Sequence, residues 1–160
     1  MKKIAVYAGS FDPFHNGHLA IIKKAVKIFD EVHIVIASNA KKDKRQYSAS
    51  RILDAIEDTL KNENINNCVV LIHRDLVADY AMKIGAQHLI RGLRNNMDYN
   101  YEENMAQGHK LTYPELETIY LRADETALSS SLIKELNSYD ADVSGFVPEA
   151  VYKILRTKSQ

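Results

Sequence analysis

The sequence predicts an α/β fold in which a doubly wound, parallel sheet of five strands carries helices on both faces. Short apolar runs rich in β-branched residues alternate with longer segments whose apolar residues recur at helical spacing. The 160 residues, with 46% hydrophobic content, suit one domain with a substantial core. We therefore expect a single domain over residues 1–160, with ligands at the carboxyl ends of the strands.

Each element is predicted from its own local pattern. Ser48 is a suitable N-cap for the second helix, Gly85 lies where a C-terminal glycine cap belongs, and Pro148 suits the first turn of the last helix. The predicted strands are 4–8, 32–37, 69–72, 88–90 and 118–121. The predicted helices are 17–29, a helix after Ser48 that carries Ile52, Leu53, Ile56 and Leu60, then 76–84, 96–110, 129–136 and 148–155.

Charge and composition exclude several classes of partner. Basic and acidic residues number 21 each, so the chain lacks the broad basic field that nucleic acids or acidic membrane surfaces attract. No apolar run approaches the roughly 18 residues of a membrane span, and residues 4–8 are too few for a signal-peptide core. The single cysteine, Cys68, lies in an apolar run and is expected to be a buried hydrophobe. We expect a cytoplasmic protein with no nucleic-acid or membrane partner.

The strongest chemical signal is Gly-Ser-Phe-Asp-Pro-Phe-His-Asn-Gly-His at residues 9–18, between the first strand and the first helix. Free N–H groups and the helix dipole make such a helix start an anion site. His15 and His18 are three residues apart and can face the same phosphate. Gly17 leaves room for a phosphate near the backbone, and Ser10 adds a hydroxyl. The segment predicts a phosphate-binding loop.

Two other interpretations of these histidines stay open. Zinc is disfavoured because neither a cysteine nor a plausible third ligand lies nearby, so no metal-ligating set is predicted. The second alternative is structural, with both histidines serving only to cap the loop.

A second signal is Ile-Arg-Gly-Leu-Arg-Asn-Asn-Met-Asp-Tyr-Asn-Tyr-Glu at residues 90–102. Arg91 and Arg94 are expected directly after the fourth strand, and guanidinium groups match the geometry of phosphate oxygens. In a helix, Asp98 and Glu102 share a face, with Tyr101 beside them. The alternative is a solvated, charged helix start.

A third signal is Leu-Ser-Ser-Ser-Leu-Ile-Lys-Glu at residues 128–135. Its exposed N–H groups can receive another phosphate, and a simple N-cap accounts for one of the three serines better than for all of them.

Together these segments resemble the phosphopantetheine adenylyltransferases, nucleotidylyltransferases of bacterial coenzyme A synthesis, over nearly the whole chain. The distinguishing parts are Arg-Gly-Leu-Arg-x4-Tyr-x-Tyr-Glu and Ser-Ser-Ser-x-Ile-Lys-Glu. The resemblance implies a Rossmann-like sheet and transfer of an adenylyl group from ATP to 4′-phosphopantetheine, giving dephospho-coenzyme A and pyrophosphate. It also implies a homohexamer, and the chemistry implies Mg²⁺ with the ATP.

The resemblance also implies a role for individual residues. The catalytic set is His18, Lys42 (with Lys41 as the alternative lysine) and Arg91. The expected phosphopantetheine site consists of Ser10, Lys42, Asp75, Leu76, Val77, Arg91 and Glu135. The expected ATP site consists of Gly9, Ser10, Phe11, His15, Gly17, His18, Gly92, Arg94, Asp98, Tyr101, Glu102, Ser129, Ser130 and Ser131.

Three features depart from the family pattern and keep rival functions open. His15 stands where the family usually has threonine, and Tyr47 is one place from the expected aromatic. The segment 122–128 is shorter than in many members and lacks their tryptophan, which bears on nucleotide affinity. His15 favours an enzyme that adenylates nicotinamide mononucleotide; cytidylylation of glycerol phosphate is a related rival. A nucleotide-binding regulator without catalysis is the alternative from another class.

Overall fold

Five parallel strands form one sheet in the computed structural model, which describes residues 1–38, 44–94, 107–123 and 128–157. The order across the sheet is β3-β2-β1-β4-β5, so the chain winds outward in both directions from the pair β1 and β4. This confirms the predicted doubly wound sheet. The strands are β1 Ile4–Gly9, β2 Glu31–Ala37, β3 Cys68–His73, β4 His88–Leu93 and β5 Glu117–Arg122.

Helices cover both faces of this sheet. Residues 107–112 are helical as well, extending slightly beyond the predicted end at residue 110. The elements bounded in full are α1 Asn16–Ile28, α2 Ala49–Asn62, α3 Val77–Lys83, α4 Ser130–Ser138 and α5 Glu149–Arg156. In the described ranges, no helix has both the length and the apolar character that crossing a bilayer requires.

The alternation of side chains along the strands divides the core into two layers. On one face, Ile34 and Ile90 join a cluster that also contains Ile22 of α1 and Ile56 of α2. On the other face, strand residues pack against Ala78 and Ala81 of α3; these strand residues are Val6, Val35 and Leu89. Such double coverage explains why the central strands are almost continuously apolar.

The helix ends agree with the predicted signals in part. Gly85 has φ +77°, and the adjacent Ala86 N–H donates to the Ala81 carbonyl, which closes α3 as the glycine predicted. Ser48 is the N-cap of α2, but its hydroxyl contacts Ser50 instead of capping the helix. Pro148 is likewise an N-cap, one position before the predicted first turn. Cys68 is only partly buried, and burial raises the pKa of its thiol to about 11.

The fourth strand is longer than predicted, and its last residues separate from β1 at the position of the site. β4 pairs with β1 only as far as Tyr7 and Ile90, yet β4 continues beside β5 to Leu93. β1 meanwhile continues beside β2 to Gly9. The two central strands therefore part at their carboxyl ends. The predicted end at residue 90 was wrong because pairing with β5, which lies far along the chain, extends the strand.

Candidate active site

A cavity of about 330 Å³ lies where β1 and β4 part. This position is the topological switch point of the sheet, where ligands of open α/β folds bind. The cavity gathers residues from the first loop, the end of β4 and the start of α4. The predicted residues that line it are Gly9, Ser10, Phe11, His15, Gly17, His18, Arg91, Gly92, Arg94, Ser129, Ser130 and Ser131.

His15 and His18 form a reciprocal cap at the start of α1. The Gly17 N–H donates to Nδ1 of His15 at 3.0 Å, and the His15 N–H donates to Nδ1 of His18 at 3.0 Å. The two rings stack with their centroids 3.7 Å apart. The arrangement is a capping box made of histidines, in which two N–H groups that a helix start leaves unpaired are satisfied by side chains.

This cap determines the protonation of both rings. A nitrogen that accepts a hydrogen bond carries no proton, so each neutral ring holds its proton on Nε2. Burial, with the positive charge of Arg94, lowers the pKa of His15 to about 4. Burial, then His15, then Arg94 hold the pKa of His18 well below its ordinary value. At neutral pH His18, which lines the cavity, is therefore uncharged and carries its proton on Nε2.

Gly17 is explained by the histidine cap and not by a phosphate. A Cβ built at Gly17 would lie 2.8 Å from Cε1 and 2.9 Å from Nδ1 of His15. The sequence had indicated that the missing side chain leaves room for a phosphate. The imidazole of His15 occupies that space, so the reason given for Gly17 was wrong, although Gly17 does lie at the cavity.

Aromatic rings enclose the inner side of His18. Phe11 meets His18 edge to face at 4.8 Å between centroids, and Phe14 stacks with it at 5.4 Å. Phe11 is itself 2% exposed and lies over Gly9, where an added Cβ would meet its ring at 3.3 Å. These contacts restrict the imidazole to one orientation and supply the apolar surroundings that keep it neutral.

Arg91 and Arg94 leave the fourth strand on opposite faces. Arg91 lies within β4 and not after it, two residues from Leu89 in the layer beside α3. Its Nη1 donates to the Ala8 carbonyl at 3.2 Å, across the gap between β4 and β1. Arg94 lies just beyond the strand, and its Nη1 donates to the Leu128 carbonyl at 3.4 Å. Arg94 therefore lies on the side of α1 and α4, and Arg91 on the side of α3.

The three serines at the start of α4 have different roles. Ser129 is the N-cap, and its hydroxyl oxygen accepts the Leu132 N–H at 3.1 Å. The hydroxyl of Ser130 donates to the Pro13 carbonyl at 2.8 Å, which joins α4 to the first loop. Ser131 is exposed at the cavity. The cap accounts for one serine, and the helix start adds a second set of N–H groups directed at the cavity.

The chain is also similar in sequence to named enzymes. The family described as cytidylyltransferase-like matches residues 6–136. A phosphopantetheine adenylyltransferase from Cytophaga hutchinsonii is 42% identical over 156 residues, covering 96% of this chain and 100% of the relative. One from Thermotoga neapolitana is 41% identical over 157 residues, covering 97% and 96%. The chain belongs to the phosphopantetheine adenylyltransferase family. The resemblance seen in the sequence motifs is confirmed.

A solved structure with the same fold is much more distant in sequence. A Vibrio parahaemolyticus protein assigned as a nicotinate-nucleotide adenylyltransferase matches with a TM-score of 0.70 over 97% of this chain and 92% of its own. The identity is 15%, so the likeness establishes the fold alone. That fold is the Rossmann-like nucleotidyltransferase sheet that the family resemblance implied.

Of the residues expected to bind the acceptor, Ser10 and Arg91 line the first cavity, and the other described members of the set lie apart from it. Asp75 and Leu76 line a second cavity at the carboxyl ends of β2 and β3, on the same edge of the sheet. Val77 begins α3 beside them. Glu135 is exposed on α4 and is not among the residues that line either cavity. The structure therefore does not bring Glu135 together with the other members of that set.

Several predicted residues of this family member lie outside the described residues. They fall in the ranges 39–43 and 95–106 and are Lys41, Lys42, Asp98, Tyr101 and Glu102. Most of the helix predicted at 96–110 and most of the shortened segment 122–128 are outside as well.

The donor set is suited to phosphate more than to a metal ion. The described lining combines a neutral imidazole donor, two guanidinium groups and hydroxyls. No group of three potential metal ligands occurs within the described ranges. Residues of this kind do not fit a protein-held Mg²⁺, whose preferred ligands are carboxylates and waters.

Two residues that the sequence analysis did not assign support the first loop. Asp12 is 6% exposed, and its carboxylate accepts the N–H groups of Gln46 and Tyr47. Arg45 donates to the carbonyls of Ser10 and Phe11. Asp12 was within the recognised motif, but Arg45 stands in a lysine-rich polar segment that is typical of a solvated loop. No local signal distinguished it.

Proposed function

We propose that this protein transfers the adenylyl group of ATP to 4′-phosphopantetheine, forming dephospho-coenzyme A and pyrophosphate. The observation that carries the proposal is the convergence of His18, Arg91, Arg94 and the start of α4 on one cavity. All of these groups donate hydrogen bonds to anions. Such a set suits a reaction in which negative charge moves between phosphates.

The proposed reaction is an in-line displacement at the α-phosphorus of ATP. An oxygen of the acceptor phosphate forms a bond to that phosphorus while the bond to the bridging oxygen of the β-phosphate breaks. The bonding pair leaves with pyrophosphate. Because the attacking phosphate is already anionic, no general base is needed, and catalysis consists of positioning and charge stabilisation.

His18 and Arg94 serve the nucleotide in this proposal. The neutral Nε2–H of His18 donates a hydrogen bond to phosphate oxygens. Arg94 lies on the same side, since its charge affects the pKa of both histidines. The backbone N–H groups at the start of α4 add donors to the ATP phosphates, with Ser10 and Ser131 beside them.

Arg91 serves the acceptor. It lines the first cavity from the α3 side of β4, the face whose helix α3 begins beside Asp75 and Leu76. We propose that the phosphate of 4′-phosphopantetheine binds at Arg91 and its organic arm extends along the carboxyl edge past Asp75, Leu76 and Val77. Glu135, Lys42, Asp98, Tyr101 and Glu102 are included from the family resemblance.

The proposal extends to the state of the protein in the cell. We propose that ATP is used as its Mg²⁺ complex, that the protein is a homohexamer and that it acts in the cytoplasm. Sedimentation velocity at micromolar concentration measures the oligomeric state directly. A monomer would contradict that part of the proposal and leave the chemistry untouched.

The chemistry is tested by measuring pyrophosphate release with three substrate pairs: ATP with 4′-phosphopantetheine, ATP with nicotinamide mononucleotide, and CTP with glycerol phosphate. We expect kcat/KM for phosphopantetheine to exceed that for nicotinamide mononucleotide by at least about a hundredfold, because a mismatched polar acceptor leaves buried donors unpaired. An equal or reversed preference would contradict the assignment of the acceptor. The absence of turnover with all three would favour a nucleotide-binding regulator.

A further inference from the structure

The loop between β1 and α1 is held from outside by the segment that precedes α2. The two oxygens of the Asp12 carboxylate each accept a backbone N–H, from Gln46 and from Tyr47, both at 2.9 Å. Asp12 is 6% exposed, so these bonds lie in a protected environment. Nζ of Lys134, from α4, lies 3.6 Å from the same carboxylate.

Arg45, in the segment before α2, adds hydrogen bonds to the backbone of this loop. Its Nη1 donates to the Ser10 carbonyl, and its Nη2 donates to the Phe11 carbonyl at 3.5 Å. Its Nε donates to the Tyr47 carbonyl at 3.0 Å. Three different nitrogens thus bind three different carbonyls, which the planar fork of an arginine permits and the single ammonium of a lysine does not.

The loop that these bonds hold has an unfavourable backbone conformation. Phe11 has φ +48°, a left-handed value that is rare for a bulky residue and persists only when its surroundings impose it. Its ring lies against His18, and the neighbouring Ser10 is exposed at the cavity. Displacement of this backbone would move Ser10 and release the wall that orients His18.

We propose that Asp12 and Arg45 form a clasp that positions the phosphate-binding loop for catalysis, with neither side chain contacting the reacting atoms. This inference rests on the proposed function, because it assigns both residues to the same adenylyl transfer. They are positioning residues: they fix the backbone at Ser10 and Phe11, and through Phe11 the orientation of His18.

The test compares Arg45→Lys, Asp12→Asn and the double variant. Arg51→Lys serves as the control, because Arg51 is an exposed arginine in the first turn of α2, close to the clasp in sequence. Rates are measured with whichever of the three acceptors the wild-type protein uses fastest, so a wrong choice of acceptor does not disturb the comparison. Amide exchange at Gln46 and Tyr47 is measured by NMR without any substrate.

We expect Arg45→Lys and Asp12→Asn each to lower kcat by about ten- to a hundredfold, the scale for reacting groups displaced by about 1 Å. Because the two residues act as one unit, kcat of the double variant should be only slightly below that of the less active single variant. Asp12→Asn should accelerate amide exchange at Gln46 and Tyr47 at least about tenfold, since an amide cannot accept both bonds. Arg51→Lys should match the wild type in every measurement.

Several results would overturn the clasp. One is a kcat of Arg45→Lys within twofold of the Arg51→Lys control at a temperature where both are fully folded. Multiplied losses in the double variant would show two independent effects. A fall in kcat that merely follows the fraction of unfolded protein, and that is reversed on cooling, would show that the pair has only a structural role. Unchanged exchange at Gln46 and Tyr47 in Asp12→Asn would contradict the bonding itself.

Discussion

Two nitrogens of the His18 ring have separable roles, and this leads to our most specific prediction. Nδ1 accepts the His15 N–H and caps α1, whereas Nε2–H is the donor that we assign to the ATP phosphates. Asparagine places an amide oxygen on the same Cγ that carries Nδ1, so His18→Asn retains an acceptor for the cap and loses the donor. Glutamine extends its amide toward the position of Nε2, so His18→Gln retains a donor and loses the cap.

The magnitudes follow from these roles. Loss of a donor that stabilises developing charge lowers kcat by about 100- to 1000-fold. Loss of one helix cap costs about 1 kcal/mol, or about 2–4 °C in Tm for a chain of this size. We expect His18→Asn to lose kcat on that scale, with a higher Tm than His18→Gln. We expect His18→Gln to retain at least about tenfold more activity than His18→Asn.

The assay is pyrophosphate release at saturating ATP, with Tm measured by scanning calorimetry on the same preparations. All variants lose the stacking of His18 on His15 and Phe14, so the comparison between asparagine and glutamine is matched for that loss. His18→Ala, which lacks both functions, should show the low kcat and the low Tm together. If His18→Asn stays within about threefold of wild-type kcat, His18 is a structural cap and our account of catalysis is wrong.

Three further predictions follow from the same site. Gly17→Ala should lower the free energy of unfolding by about 1–3 kcal/mol in urea titrations, because its Cβ would lie 2.8 Å from the His15 ring; an unchanged midpoint would contradict the packing. The free energy of unfolding should decline as the pH falls from about 6.5 toward 4. The reason is that the unfolded chain takes up a proton on His15 in this range, whereas His15 of the folded protein stays neutral. Urea titrations across this range should show a shallower decline for His15→Asn. Arg91→Lys should raise KM for phosphopantetheine and Arg94→Lys should raise KM for ATP, since the two arginines lie on opposite faces of the sheet. Steady-state kinetics in which both variants raise KM for the same substrate would refute this division.

The order of strands and helices could be predicted from the sequence because the burial of each element is visible in its own pattern of apolar residues. The β-branched run at 32–37 is apolar enough to be covered on both faces and forms the inner strand β2, whereas the run at 69–72 forms β3, a partly buried strand at one edge of the sheet. Gly85 could be placed as a helix cap because its requirement for positive φ depends on its own backbone. The position of residues 9–18 between the first strand and the first helix was similarly visible.

The extent of β4 was decided by the tertiary structure. Pairing with β5 carries Arg91 and Gly92 into the strand and so determines which face of the sheet each arginine occupies. No local pattern contains that information, because the partner strand begins at Glu117.

The roles within the first loop also depended on distant contacts. The sequence placed His15, Gly17 and His18 together and identified the histidine cap as one of the alternatives. Only the geometry shows that Gly17 accommodates an imidazole and that both rings are neutral, because burial sets those pKa values. The contacts of Asp12 with residues 46 and 47 span more than 30 positions, as do those of Arg45 with Ser10 and Phe11. The sequence by itself therefore determined the family and the fold, and it predicted the residue types of the site. The tertiary structure decided their partners, since hydrogen bonds between distant segments exist only once the chain has folded.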